Sequence, residues 1–267
     1  MSKRVVIPRV LTIAGSDSGG GAGIQADMKT CSALGVYCST AITAVTAQNT
    51  MGVTKIKEMS LEIVDAQINA VLSDIGADVV KTGMLASSRI IETVVKALRS
   101  HDVQRLVVDP VMVAKSGDRL LRADSVKQLC TELLPLATVV TPNIPEAEII
   151  TGMSIKSSSD LDKAGLVILS MGVGAVVIKG GHSLGAPIDR LFTIDGKLEF
   201  PGERVKTRST HGTGCTFAAA ISACLAKGYS LTESVMEAKN YVTGALQAAS
   251  PLGHGFGPVD HFFRYHP

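Results

Sequence analysis

The segment Thr210-His211-Gly212-Thr213-Gly214-Cys215-Thr216 runs directly into FAAAISACLAKG, an Ala- and Leu-rich helical stretch that ends at Gly228. Small residues ahead of a helix leave its first N–H groups unpaired and its positive end open, so Gly212, Thr213 and Gly214 form a candidate anion site. Cys215 falls in the first turn, where the same field lowers a thiol's pKa, and it alone among five cysteines has a chemical argument for reactivity. Cys130 and Cys224 fit helix packing instead. Two strand ends supply a second chemistry: Asp109-Pro110 closes one apolar strand, and Thr141-Pro142-Asn143-Ile144-Pro145-Glu146 follows another. Strand carboxyl ends in an open α/β sheet face the ligand crevice. Two carboxylates and an amide there suit a hard, hydrated cation that bridges phosphates. Each residue alone has an ordinary alternative, since Asp-Pro opens turns and Glu146 suits the first turn of a helix. Together with an anion site they describe a place where phosphate meets a cation.

Two further glycine clusters are Gly180-Gly181 and the loop from Gly15 to Gly23. The loop contains Gly21-Ala22-Gly23-Ile24-Gln25-Ala26, a formal dinucleotide fingerprint. That fold needs its first glycine directly after the strand and an acid at the end of the second strand, which here reads Ala47-Gln48-Asn49. A phosphate-cradling P-loop fails too, because Met28 stands where its second glycine belongs and the segment reads as helix. A tight strand-to-helix turn accounts for these glycines as well. Among the histidines, His211 shapes the anion loop, His101 reads as solvated, and His254 and His261 lack a metal-ligand pattern.

Short apolar runs that could position these groups alternate with amphipathic ones. Strands are expected over Val10–Ala14, Ala41–Ala47, Asp78–Gly83, Leu106–Val111, Thr138–Thr141 and Ala175–Lys179. Helices are expected over Ile24–Leu34, Leu61–Ile75, Ser88–Ser100, Ser125–Leu134 and Leu161–Met171. Apolar strands without alternation indicate a parallel sheet covered on both faces, hence one doubly wound α/β domain over residues 1–267. Leu191–Thr193 and Leu198–Phe200 flank Asp195-Gly196, a hairpin signal at a sheet edge. Two helices follow, Gly214–Lys227 and Leu231–Ala249, the second opened by a Ser230/Glu233 capping box. The aromatic tail from Phe256 to Pro267 should pack on its own domain or in an oligomer interface. Lys115-Ser116-Gly117-Asp118 reads as either a flap over the site or a surface turn.

Composition narrows the partners. With 26 Lys and Arg against 24 Asp and Glu, the formal charge is +2, which excludes the dense cationic faces of nucleic-acid or membrane binding. Hydrophobic residues at 46% and charged residues at 19% exclude disorder. The N-terminus lacks an apolar signal region, and no run approaches the ~20 residues of a membrane span. The cysteines are odd in number with no C-x-x-C pair, against a disulfide framework or zinc ribbon. A reducing compartment is expected, the cytoplasm or an organelle reached with a removed transit peptide. The 26 glycines and absence of Trp suggest a core of small aliphatics with backbone brought close to a ligand.

The order of these pieces resembles the ribokinase-like superfamily of small-molecule kinases. Within it, the chain is similar to the hydroxymethylpyrimidine/phosphomethylpyrimidine kinases of thiamine biosynthesis. The resemblance runs from Val10-Leu-Thr-Ile-Ala-Gly-Ser-Asp-Ser-Gly-Gly-Gly-Ala-Gly-Ile-Gln-Ala-Asp27 through Thr43-Ala-Val-Thr-Ala-Gln-Asn49, Lys81-Thr-Gly-Met-Leu85 and Val108-Asp-Pro-Val-Met112. It continues through Thr141-Pro-Asn-Ile-Pro-Glu-Ala147, Lys179-Gly-Gly-His182 and His211-Gly-Thr-Gly-Cys215 to Gly253-His-Gly-Phe-Gly-Pro258. It implies a three-layer sandwich, a mostly parallel sheet with helices on both faces. It also implies ATP-dependent phosphorylation of 4-amino-5-hydroxymethyl-2-methylpyrimidine and of its monophosphate. Gly212, Thr213 and Gly214 would surround the transferred phosphoryl group. Cys215 stands where many relatives carry an Asp base, and it serves either as base or as a positioning group. Asp109 and Glu146 would organise Mg²⁺, with Asn143, Lys179 and Thr213 toward the nucleotide. Gly15, Ala22, Asp27, Gln48, Met84 and Val111 would form the pyrimidine pocket. The expected partners are the pyrimidine, ATP and a second copy of the chain. Pyridoxal is the rival substrate on the same fold, and a catalytically silent vitamin- or nucleotide-binding regulator is the rival of another class.

Overall fold

A computed structural model describes residues 6–112, 125–182 and 186–266. The first half comprises β1 (Arg9–Asp17), α1 (Gly23–Ala33), β2 (Tyr37–Asn49), β3 (Gly52–Glu58), α2 (Leu61–Ala70), β4 (Val79–Thr82), α3 (Ser88–Ser100) and β5 (Leu106–Val108). The second half comprises α4 (Ser125–Gln128), β6 (Val139–Val140), α5 (Ile144–Thr151), α6 (Ser158–Leu169), β7 (Val176–Ile178), β8 (Asp189–Thr193), β9 (Gly196–Phe200), α7 (Thr213–Ala226) and α8 (Leu231–Gln247). One nine-stranded sheet runs in the order β3-β2-β1-β4-β5-β6-β7-β8-β9. Strands β2 to β7 of that order pair in parallel, while β3, β8 and β9 join antiparallel at the two edges.

Alternate strand residues feed two separate cores, which explains why the strands read as continuous apolar runs. Leu11, Ile13, Val80, Leu106, Val108, Val140, Val176 and Ile178 pack toward α2, α3, α5 and α6. Val10, Val79, Val107, Val139 and Val177 pack on the opposite face with α1, α7 and α8. Helix α7 is buried at every residue from Thr216 to Leu225, because the sheet, α1 and α8 enclose it. A helix buried all round can be uniformly apolar, which is what its run of Ala and Leu shows.

Most expected elements appear with shifted ends. The hairpin turns at Asp195-Gly196 as expected, and Ser230 and Glu233 form the expected reciprocal cap. The expected helices after Leu61 and Ser125 are α-helical only to Ala70 and Gln128, then continue as π-turns. Strand β3 was not expected: Lys55, Ile56 and Lys57 are all exposed, so this edge strand has no buried face and no apolar signature. Helix α5 was also not expected as a separate element. The tail packs on its own chain, with Phe263 against Tyr241 (ring centroids 5.4 Å apart) and Tyr265 Oη donating to the Ala33 carbonyl. His101 is not solvated but half-buried, 2.7 Å from Asn69 Oδ1. The Lys115–Asp118 segment lies outside the described residues. No helix among the described residues is long and apolar enough to cross a membrane.

Strand order reverses at β1, whose neighbours are β2 on one side and β4 on the other. In doubly wound sheets the ligand crevice opens outside the strand carboxyl ends at such a switch.

Candidate active site

A cavity of about 590 Å³ occupies that crevice. It collects the ends of β1 (Gly15 to Asp17), β2 (Thr46, Gln48), β4 (Lys81, Met84), β5 (Asp109, Val111), β6 (Asn143, Glu146) and β7 (Lys179). Gly212, Thr213, Gly214 and Cys215 line it from the start of α7. With Ala22, every candidate catalytic, substrate, nucleotide and metal residue except Asp27 therefore lines one space.

The anion loop is built by close backbone contact. Gly212 has φ +79°, and a Cβ there would collide with the Gly21 carbonyl, so only glycine fits. No side chain caps the N-terminus of α7. Thr213 Oγ1 instead donates to the Thr210 carbonyl at 2.7 Å, which pins the loop. A Cβ on Gly214 would stand 3.3 Å from Lys179 Nζ and about 4 Å from both Asp109 oxygens, so this glycine lets the lysine and carboxylate approach the helix end.

Lys179 Nζ donates to Asp109 Oδ1 at 3.1 Å and lies 4.0 Å from Glu146 Oε2. Burial alone would lower the lysine's pKa, but the two carboxylates outweigh it and hold the ammonium charged. Burial pushes Glu146 up to about 7, with Lys179 pulling against it and Asp109 adding to it. The Asn143–Glu146 spacing has a structural job besides: Asn143 Oδ1 accepts from Glu146 N at 2.9 Å, and Glu146 Oε2 accepts from Asn143 N at 2.8 Å. This capping box starts α5 and fixes the Glu146 carboxylate at the cavity wall.

Asp109 Oδ2 is buried and meets no hydrogen-bond donor. A buried carboxylate oxygen left bare is unfavourable unless a cation or ordered water reaches it. No group of three or more metal-binding side chains occurs among the described residues. Asp109 and Glu146 thus fit an Mg²⁺ ion that takes its remaining ligands from phosphate and water, as this ion prefers.

Asp27 requires a correction. It is fully buried and does not reach the cavity. Its carboxylate accepts from Lys81 Nζ at 3.0 and 2.9 Å and from Thr12 Oγ1 at 2.5 Å. Asp27 is a counter-ion, and Lys81, given no role in the sequence reading, is the residue of the pair that lines the cavity. A lysine inside the run Val79-Val80-Lys81-Thr82 was the available signal, since a charge within a buried strand needs a partner.

The expectation for Cys215 also changes. Desolvation, with Asp109 and Asp27 adding to it, outweighs the pull of Lys81 and pushes the thiol up to about 12.

On the proposed pyrimidine side, Met84 Sδ lies 3.3 Å from where a Gly15 Cβ would be, so that glycine makes room for the thioether. Met84 is fixed in turn by Thr43 Oγ1, which donates to its carbonyl at 2.7 Å. Gln48 sits between Thr46 Oγ1 (3.1 Å) and His211 Nε2 (3.4 Å), and His211 Nε2 lies 2.8 Å from Asp17 Oδ2. Asp17 and His211 join the glycine loop after β1 to the loop before α7, a link between distant segments that local patterns did not reveal.

These features have close counterparts among known proteins. The chain matches the phosphomethylpyrimidine kinase family over residues 17–260. It is 52% identical over 259 residues to a hydroxymethylpyrimidine/phosphomethylpyrimidine kinase of Rhizobium meliloti, covering 96% of this chain and 97% of that one. A solved phosphomethylpyrimidine kinase from Clostridium difficile superposes with a TM-score of 0.81 at 44% identity, covering 90% of this chain and 100% of the other. Pyridoxal kinase of Bacillus subtilis, solved as an ADP complex, superposes with a TM-score of 0.91 at 37% identity, covering 97% and 99%. The expected ribokinase-like sandwich is therefore the fold observed. Similarity of this extent, spanning the cavity and both cores that hold it, places the chain in the phosphomethylpyrimidine kinase family.

Proposed function

We propose that the protein transfers the γ-phosphoryl group of ATP to the hydroxymethyl oxygen of 4-amino-5-hydroxymethyl-2-methylpyrimidine, then a second phosphoryl group to the resulting monophosphate, in thiamine biosynthesis. The observation that carries this reading is the convergence of Lys179, Asp109 and Gly214 at the open end of α7, in one cavity with Gln48, Met84 and Gly15. In each transfer a new O–P bond forms to the acceptor, the bond from Pγ to the bridging β,γ oxygen breaks, and ADP leaves; in the first, the hydroxyl proton passes to a transferred phosphoryl oxygen and on to solvent.

Such transfers pass through a loose transition state, so positioning and charge neutralisation dominate. The N–H groups of Gly212 and Gly214 donate to the equatorial phosphoryl oxygens, while the Thr213 N–H points back to the Thr210 carbonyl. Lys179 balances charge on the phosphates, and Asn143 flanks it through the bridge between their strands. Mg²⁺ held through Asp109 and Glu146 would neutralise phosphate charge when bound. Ala22, Met84 and Val111 form the apolar wall of the ring site, and Gln48 offers an amide to its polar edge. A neutral Cys215 thiol orients the acceptor oxygen by hydrogen bonding and does not take its proton in the ground state.

A coupled assay with Mg-ATP tests the reading, comparing hydroxymethylpyrimidine, its monophosphate and pyridoxal side by side. Preference for pyridoxal would overturn the substrate while leaving the phosphate apparatus intact. Pyridoxal is kept as the second reading because a pyridoxal kinase superposes at a TM-score of 0.91. Lack of ATP consumption with all three compounds would instead favour a silent binding protein. The reading extends to one kinase unit working in the cytoplasm as a homodimer.

A further inference from the structure

We propose that Gly255 is a positioning residue: through it the segment Gly253–Pro258 clamps the end of β2 and sets the place of Gln48 in the acceptor site. For its acceptor this rests on the pyrimidine reading above, and for its geometry on contacts between backbone segments. No residue of Gly253-His-Gly-Phe-Gly-Pro258 lines the cavity, so its effect on catalysis must pass through what it touches.

Gln48 is gripped from two directions. Thr50 stands two residues beyond it, in the turn from β2 to β3. The Thr50 carbonyl accepts the Phe256 N–H at 2.9 Å, and its hydroxyl accepts the Gly255 N–H at 3.2 Å. A Cβ on Gly255 would collide with that carbonyl and would stand 3.0 Å from Met51 N, so only glycine lets the two backbones meet. From the other direction Ser18 Oγ donates to the Gln48 carbonyl at 2.7 Å and accepts the Gln48 N–H at 2.8 Å.

The two grips close into a ring. Ser18 belongs to the glycine loop after β1, and Gly21 of that loop packs on Pro258, where a Cβ would stand only 3.0 Å from Pro258 Cβ. Pro258 pairs with His211 in the loop before α7, and Gly257 O accepts the His211 N–H at 2.9 Å. Contacts therefore run from Gln48 through Ser18, Gly21 and Pro258, then back through Phe256 and Thr50. Beyond Pro258 the chain is anchored to α8: Asp260 N donates to Ala245 O at 3.0 Å, and Tyr241 Oη donates to His261 O at 2.5 Å. With the clamp held in this way, a methyl group at Gly255 displaces Thr50 and the end of β2 with it.

The phosphate half of the cavity has other supports. Lys179 N donates to Pro142 O and Asp109 N to Thr82 O, both at 2.9 Å. Loss of the clamp is therefore felt by the acceptor ring at Gln48 and spares the nucleotide.

The test pairs kinetics with hydrogen exchange. Gly255→Ala should raise the KM for hydroxymethylpyrimidine about tenfold or more, while changing kcat and the KM for ATP by less than about threefold. In a Gln48→Ala background the same substitution should add less than about twofold. An unchanged KM for the acceptor, a parallel rise in the KM for ATP, or additive effects with Gln48→Ala would each overturn the proposal. Exchange at the Gln48 amide should quicken about tenfold or more in Gly255→Ala, while that at Lys179 stays within about threefold. Unchanged exchange at Gln48 would overturn the clamp whatever the substrate proves to be. If Gly255→Ala does not fold, Thr50→Val, which removes the hydroxyl that accepts the Gly255 N–H, should raise the acceptor KM about threefold or more. Thr50→Ser, which keeps a hydroxyl, should stay within about twofold of the unaltered enzyme, and equal values for the two Thr50 variants would overturn the proposal. A wild-type enzyme that ignores the pyrimidine refutes the proposed substrate instead, and the exchange measurement still decides the clamp.

Discussion

Lys81 Nζ lies 3.0 and 2.9 Å from the two carboxylate oxygens of Asp27, and both side chains are withdrawn from solvent. The pair joins β4 to α1, with Lys81 lining the cavity and Asp27 behind it. Both charges persist because each answers the other, with Thr12 supplying one further donor.

Removing one member should therefore be harsher than removing both. Asp27→Asn leaves an uncompensated buried ammonium and should lower stability by roughly 3–5 kcal/mol, whereas Asp27→Leu with Lys81→Met should recover most of that. Urea unfolding of the variants gives the answer. A loss under about 1 kcal/mol for Asp27→Asn would mean the ion pair has no structural role.

Cys215 should behave as a desolvated, weakly reactive thiol on the cavity wall. With its pKa near 12, its alkylation by iodoacetamide at pH 7.5 should be more than about a hundredfold slower than that of a free cysteine. Cys215→Ala should lower single-turnover phosphorylation by ~10-fold or more with little change in ATP affinity. Cys215→Ser should restore part of it, because a hydroxyl also orients the acceptor. Normal turnover by the Ala variant would remove Cys215 from the mechanism.

Gly212→Ala should abolish activity. The residue combines φ +79° with contact against the Gly21 carbonyl, so a methyl group must displace either the loop before α7 or the glycine loop after β1. Calorimetric titration with ATP and a melting curve separate lost binding from lost folding. Retained turnover would show that the two loops need not touch.

His261 gives the fold a pH dependence in acid. Burial, with a smaller push from Lys29, lowers its pKa from 6.5 to about 4, and its Nε2 faces Thr216 Oγ1 at 3.0 Å. Above pH 6.5 the ring is neutral in both the folded and unfolded chains and has no effect. Between 6.5 and about 4 the unfolded chain binds a proton that the folded chain refuses, so stability falls as pH falls. The full loss through this window is about 3 kcal/mol. His261→Gln should flatten the stability profile over that window, and an unchanged slope would exclude the group as its source.

Much of the site was legible because its residues stand where local chemistry speaks plainly. The Gly212-Thr213-Gly214 run before an apolar helix, Asp109 at a strand end and the Asn143/Glu146 spacing all carry their meaning within a few residues. Strand β3 was silent because its side chains face water, and α5 was hidden because its first turn overlaps the Thr141–Glu146 strand-end motif.

By itself the sequence determined the layered α/β architecture and the strand ends that carry the phosphate chemistry, since apolar periodicity and cap residues act within one or two turns of chain. Tertiary structure alone decided the raised pKa of Cys215, the partner of Asp27 and the link from Asp17 to His211. Each depends on desolvation, or on a contact between residues as much as 194 apart in the chain, and neither is encoded in neighbouring residue types.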